Sequence, residues 1–158
     1  MTRSRPAAGF TLIEMVVVVS LVGILAAAAH PIWTLAKRRS DEMLLHRNLR
    51  TLRTAIDAYK QAVAEHHIQA DADASGYPST LRVLVDGVAD AQVKTRRIYF
   101  LRRMPRDPFA DPAIADAETW GLRSYESPPD APQPGRDVFD VYSLAEGSGL
   151  DGTPYRSW

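Results

Sequence analysis

A long N-terminal helix packed on a small antiparallel sheet, an α+β arrangement, is the fold class this sequence predicts. Three observations predict it. From Phe10 to Ala29 run 20 residues in which only Thr11, Glu14 and Ser20 are polar. Downstream, Leu45, Leu49, Leu52, Ile56, Tyr59 and Val63 recur at spacings of 4, 3, 4, 3 and 4, one apolar stripe at helical period. Near the C-terminus, TWGLRSY (Thr119 to Tyr125) and DVFDVYSL (Asp137 to Leu144) flank the proline-rich SPPDAPQPG. Such segments make a two- or three-stranded sheet, whose apolar face needs a helix to cover it.

Composition bounds the function. A length of 158 residues fits one modest domain plus an apolar segment. Lys+Arg and Asp+Glu are 19 each, so the net charge is zero and no basic stripe marks a nucleic-acid partner. Cysteine is absent, which excludes disulfides and thiolate metal sites.

The chain opens with MTRSRPAAG, short, basic and ending in Gly9. The apolar run that follows is about 30 Å long as a helix, enough to cross a hydrocarbon core. Gly23 and Ala26 to Ala29 are small and suit close helix packing. The stretch ILAAAAHP imitates a signal-peptide cleavage site, but that reading leaves Glu14 unexplained. A carboxylate within a span costs roughly 2.5–3.5 kcal/mol at the centre and less near the interface, so Glu14 calls for a partner. Pro31 removes one helical hydrogen bond and should loosen the helix there. The amphipathic stripe then carries one helix from about Phe10 to about His67. Arg47, Arg50, Arg53 and Lys60 fall mostly off the stripe, as a solvated face or a contact with lipid phosphates or a neighbour.

Beyond the helix, SGYPSTLRVLV predicts a turn at Gly76–Pro78 and a short helix with Leu81, Leu84 and Val85 inward. In FLRRMPRDPFADP, Pro105 and Pro108 stiffen an extended path and Asp107 can accept nearby backbone amides. The last strand alternates, with Val138, Asp140 and Tyr142 on one face and Phe139, Val141 and Ser143 on the other. Gly147, Gly149 and Asp151–Gly152 then read as turn residues, with Tyr155 and Trp158 packing the loop back.

The sequence G-FTLIE ahead of an apolar run resembles the processing signature of type IV pilins and of the pseudopilins of type II secretion. YPST…L..L and MPRDPF resemble elements of the major pseudopilins among them. The resemblance implies a pilin-like fold. It implies a leader of residues 1–9, a transmembrane or filament-core helix over 10–30, and a periplasmic domain over 31–158 whose helical half reaches about residue 68. It also implies a prepilin peptidase that cuts between Gly9 and Phe10 and methylates the Phe10 amine, and a Glu14 that pairs with that amine on a neighbouring subunit. The partners implied are further copies and other pseudopilins, the inner-membrane assembly platform and membrane lipid, without nucleic acid. The N-terminus is then cytoplasmic, although Lys37, Arg38 and Arg39 after the run outnumber Arg3 and Arg5 before it. The tail, which ends in tryptophan, resembles a region that binds calcium in major pseudopilins. Ser143, Glu146, Asp151 and carbonyls near Leu144 and Leu150 are the donors for such an ion, against the alternative of a metal-free turn. TPYRSW, with an arginine, stands where that region carries a pair of acidic residues. The function implied is structural, a pseudopilus subunit that helps export folded proteins. The alternative is a minor or atypical type IV pilin of a pilus or DNA-uptake system.

Other motifs carry less. DADASG offers the first half of a calcium loop at Asp71, Asp73, Ser75 and Gly76, but Arg82 stands at the anchoring glutamate position. His66 and His67 are adjacent and point apart on a helix, while His30 and His46 are isolated. No nucleophile elbow, phosphate loop or dinucleotide fingerprint is present, so no enzyme is expected.

Overall fold

The computed structural model describes residues 9–71, 73–93 and 95–158, with the side chains of 27–31 outside the description. Most of the leader expected over 1–9 falls outside the described residues, whereas the loosening expected at Pro31 does not interrupt the helix, which runs through that position without a break. The chain divides into two compact units, Met1–Arg39 and Ser40–Trp158. Helix α1, Leu12–Ala64, supplies residues to both. In the first unit every described helical side chain over 12–26 is exposed. In the second unit the stripe is buried: Leu45, Leu52 and Ile56 are fully covered and Leu49 almost so. Each such side chain contributes roughly 1.5–3 kcal/mol on leaving water, so this face is the main apolar contribution of the head.

Helix α1 stops short of the expected His67. His66 takes φ 61°, its amide bonds the Val63 carbonyl at 3.0 Å, and the His67 amide bonds the Ala62 carbonyl at 2.9 Å. These are the two bonds of a Schellman ending with the left-handed residue at His66, where glycine is usual. The sequence pattern continues past the point at which the backbone turns. Replacing His66 with glycine should therefore raise the unfolding free energy by about 0.5–1 kcal/mol, read as a higher midpoint in chemical denaturation.

Helix α2, Arg82–Asp86, follows the turn as expected and buries Leu81 and Leu84, with Val85 half-buried. A hairpin the sequence did not suggest comes next, β1 (Val88–Ala89) against β2 (Arg97–Ile98). Its strands have two residues each, too short to show alternation. Asp90 anchors it to the end of α1. Its carboxylate is inaccessible to solvent and accepts the Gln92 amide at 3.0 Å. It lies 3.1 Å from His67 Nδ1 and 2.8 Å from the Arg96 guanidinium. Burial works against the ionised form, but the Gln92 amide, His67 and Arg96 outweigh it and hold the Asp90 carboxyl below its usual range. A depressed carboxyl contributes stability above the unfolded-state value of about 3.9 and loses it as pH falls through the folded-state value. The melting temperature of the wild type should thus fall more steeply below about pH 4 than that of Asp90→Asn, a difference calorimetry would read.

The second sheet pairs β3, Trp120–Arg123, with β4, Asp140–Ser143, antiparallel, with Trp120 opposite Ser143 and Arg123 opposite Asp140. Gly121 faces Tyr142, and a Cβ there would lie 2.3 Å from the ring, so a side chain has no room. The expected face assignment needs correction at the start of the last strand. Val141 and Ser143 share a face as expected, and it points inward, but Val138 is buried with them and Phe139 lies half outside, on Tyr77 and Tyr125. The Val138 amide bonds the Pro78 carbonyl at 2.8 Å, outside the ladder. The strand therefore starts at Asp140, and its alternation does not extend back to Asp137. Around α1 the core joins Leu81, Leu84, Leu101, Trp120, Val138, Val141 and Tyr155 to the stripe.

Candidate functional site

The start of α1 is set by one residue. Gly9, Phe10 and Thr11 precede the helix in irregular, exposed backbone. The Thr11 carbonyl accepts the Met15 amide at 3.2 Å and its hydroxyl accepts the Glu14 amide at 3.3 Å. Thr11 is thus the N-cap and Glu14 the third helical residue, the T-x-x-E arrangement of a capping box. That signal stands in the sequence within the apolar run, whose hydropathy masks it. A carboxylate in the first turn also complements the positive end of the helix dipole.

Beyond Glu14 the helix surface is apolar and uncovered. Phe10 is 75% exposed, Leu12 83% and Leu25 70%. A contiguous apolar face of this kind requires cover from lipid or another chain. Among the described residues no helix is long and apolar enough to cross a membrane. Within the 20-residue run, only the side chains through Ala26 are among those described.

The head carries a second cluster, around Asp107. This buried carboxylate accepts the Phe109 amide at 2.8 Å, the local bond its sequence setting predicts, and the Ser143 hydroxyl at 2.6 Å from β4. The Asp107 amide donates to the Thr119 hydroxyl at 3.2 Å, and Trp120 Nε1 donates to the Pro105 carbonyl at 2.9 Å. Arg106 holds the following turn through the Asp111 and Ile114 carbonyls. Asn48 Nδ2 of α1 donates to the Arg106 carbonyl at 2.8 Å, so the proline-braced loop is a structural clamp between α1 and the sheet.

The three side chains considered as cation ligands are differently engaged. Ser143 is fully buried, donates to Asp107 and accepts the Ala145 amide at 3.0 Å. Asp151 Oδ1 accepts both the hydroxyl and the amide of Thr153, at 2.7 and 2.9 Å, and these bonds hold its carboxyl below the usual range. Glu146 is exposed. Among the described residues no three His, Asp or Glu side chains gather as a set that could hold a metal ion. Of the residues set aside, His67 meets Asp90 and His46 stacks on Trp158 with ring centroids 4.0 Å apart.

Residues 4–29 match the family described as the prokaryotic N-terminal methylation motif. Across 96% of this chain and 93% of its own length, the type II secretion system core protein G of Vibrio cholerae serotype O1 is 29% identical. The core protein G of Klebsiella michiganensis is 30% identical over 68% of this chain and 71% of its own length. That of Aeromonas hydrophila is 30% identical over 70% and 73%. The chain belongs to the type II secretion core protein G family. It is therefore a pseudopilin, with the long helix and small antiparallel sheets of a pilin-like α+β fold. No solved structure matches it.

Within a pseudopilin the Thr11 cap has a measurable consequence. Thr11→Val should remove the hydroxyl that takes the Glu14 amide, at a cost of about 1 kcal/mol to the first turn. Hydrogen exchange at the Glu14 and Met15 amides should accelerate in that variant and stay slow in Thr11→Ser.

Proposed function

We propose that this pseudopilin is cut between Gly9 and Phe10 by a prepilin peptidase, methylated on the new Phe10 amine, and polymerised into a periplasmic filament. The filament would help move folded proteins outward, together with other pseudopilins and an inner-membrane assembly platform. Before assembly the helix over 10–30 rests in the bacterial inner membrane, with the N-terminus cytoplasmic and the head periplasmic. The role is structural rather than catalytic. The names of the relatives favour secretion over a pilus or DNA-uptake system.

The observation that carries this reading is the carboxylate at Glu14 within an exposed apolar helix, four residues beyond the exposed Phe10. Among the described residues nothing donates to that carboxylate, and apolar surroundings strengthen its attraction to any cation that reaches it. Cleavage before Phe10 would create such a cation. On a neighbouring subunit it would offset the desolvation of Glu14 and fix the axial register of two helices.

Intact mass of the protein extracted from its own membranes tests the route. Loss of residues 1–9 with one added methyl group is expected for the wild type and for Glu14→Ala, with filament assembly and secretion lost only in the variant. A full-length chain, or one cut after Ala29, would mean an ordinary anchor or a secreted domain.

A further inference from the structure

We propose that the C-terminal loop of this head is anchored by Glu42 and Arg53 of α1, and that it takes its fold without a divalent cation. The inference concerns the head alone and does not depend on filament assembly. In this chain two of the three side chains considered for an ion are engaged elsewhere, and the third, Glu146, is exposed. Ser143 is bonded to Asp107, and Asp151 closes its own turn onto Thr153.

The loop is closed by its own backbone. Ser148 bridges to Pro154, the Gly149 amide bonds the Thr153 carbonyl at 2.7 Å, and the Tyr155 amide bonds the Gly147 carbonyl at 3.2 Å. Trp158 Nε1 adds a bond of 2.5 Å to the Thr153 hydroxyl.

Two charged side chains of α1 then attach the loop. Glu42, only 9% exposed, accepts the Leu150 amide at 3.0 Å and the Tyr155 hydroxyl at 2.9 Å. Arg53 donates to Asp140 at 2.8 Å, to the Val141 carbonyl at 3.0 Å and to the Trp158 carbonyl at 2.5 Å. Positions 42 and 53 are 11 apart, three helical turns, so both flank one face. A bound cation would gather a carboxylate and carbonyl oxygens, and the Arg53 guanidinium already gathers such a set. A cation cannot take up the loop's donors, the Leu150 amide and the Tyr155 hydroxyl, which need an anion such as Glu42. Between the two, Tyr155 packs on Phe109 and Trp158 on His46, at centroid distances of 4.7 and 4.0 Å.

The full chain in detergent micelles is the material for the test, because the head has not been separated from its helix. Terbium is the cation probe, since Tyr155 and Trp158 would sensitise its emission from a loop site. Wild type should show no saturable emission and one melting temperature in calcium and in EGTA. Glu42→Ala should give about tenfold faster hydrogen exchange at the Leu150 and Tyr155 amides, with Glu42→Gln between it and wild type. A calcium-dependent rise in melting temperature, or saturable emission abolished by Asp151→Asn, would overturn the cation-free loop. Unchanged exchange in both Glu42 variants would overturn the anchor. Should Glu42→Ala not fold, Glu42→Gln and the wild-type cation measurements still decide.

Discussion

Burial of the Leu45, Leu49, Leu52 and Ile56 stripe is the contact on which the rest of the head depends. The head has little regular structure to hold it otherwise. Its two sheets have two strands each, and its second helix has five residues. Isolated hairpins of that size are marginal in water, and a sheet gains independent stability by packing against a helix. Leu81 and Leu84 from α2, Trp120 from β3 and Val141 from β4 all join the cluster built on α1. Apolar burial is non-directional, however, and does not by itself decide which strand or loop lies where.

Position is decided by polar groups whose partners are distant in sequence. Asp107 joins the proline-braced loop to β4 through Ser143, Asp90 joins the β1–β2 hairpin to the end of α1 through His67, and Glu42 and Arg53 join the last residues of the chain to the helix. Each bond is modest in net effect, yet breaking one would strand a buried group whose desolvation penalty is larger. Ser143 shows the consequence. The resemblance to a calcium-binding tail offers it as an oxygen ligand, whereas its strand turns it into the core, where its hydroxyl donates to Asp107. Without cysteine, the head has these polar ties to fix its loops.

What was legible in the sequence follows the range of the interaction. The stripe, the turn before α2, the local bond of Asp107 to the Phe109 amide and the β3–β4 pairing each leave a pattern within a few residues of themselves. The start of β4 was misjudged because the carbonyl that withdraws the Val138 amide belongs to Pro78. The local pattern likewise makes Arg53 a solvated charge or a contact with lipid or a neighbour, since its acceptors lie 87 to 105 residues away. Glu42 did leave a trace. It stands three residues before Leu45, on the apolar stripe itself, where an unpaired carboxylate would be costly. Thr11 and Glu14 likewise formed a readable T-x-x-E.

The carboxylates of this chain can be sorted by who answers them. Asp90, Asp107 and Glu42 are buried, and each is met by donors from its own chain. Their work is complete in a single folded subunit. Glu14 differs, because among the described residues nothing donates to its carboxylate, which stands exposed among exposed apolar side chains. The helix N-terminus offers it a partial positive charge, which by a typical 0.3–1 kcal/mol falls short of the roughly 2.5–3.5 kcal/mol that an acid costs at the centre of a membrane. The shortfall shrinks toward the interface, and a full positive charge nearby offsets more of it than the dipole does. On the proposed route, cleavage before Phe10 creates such a charge at the helix start, and a neighbouring copy can then present it. If that proposal holds, the processing step and the assembly contact are one electrostatic problem, posed by Glu14 and answered between subunits.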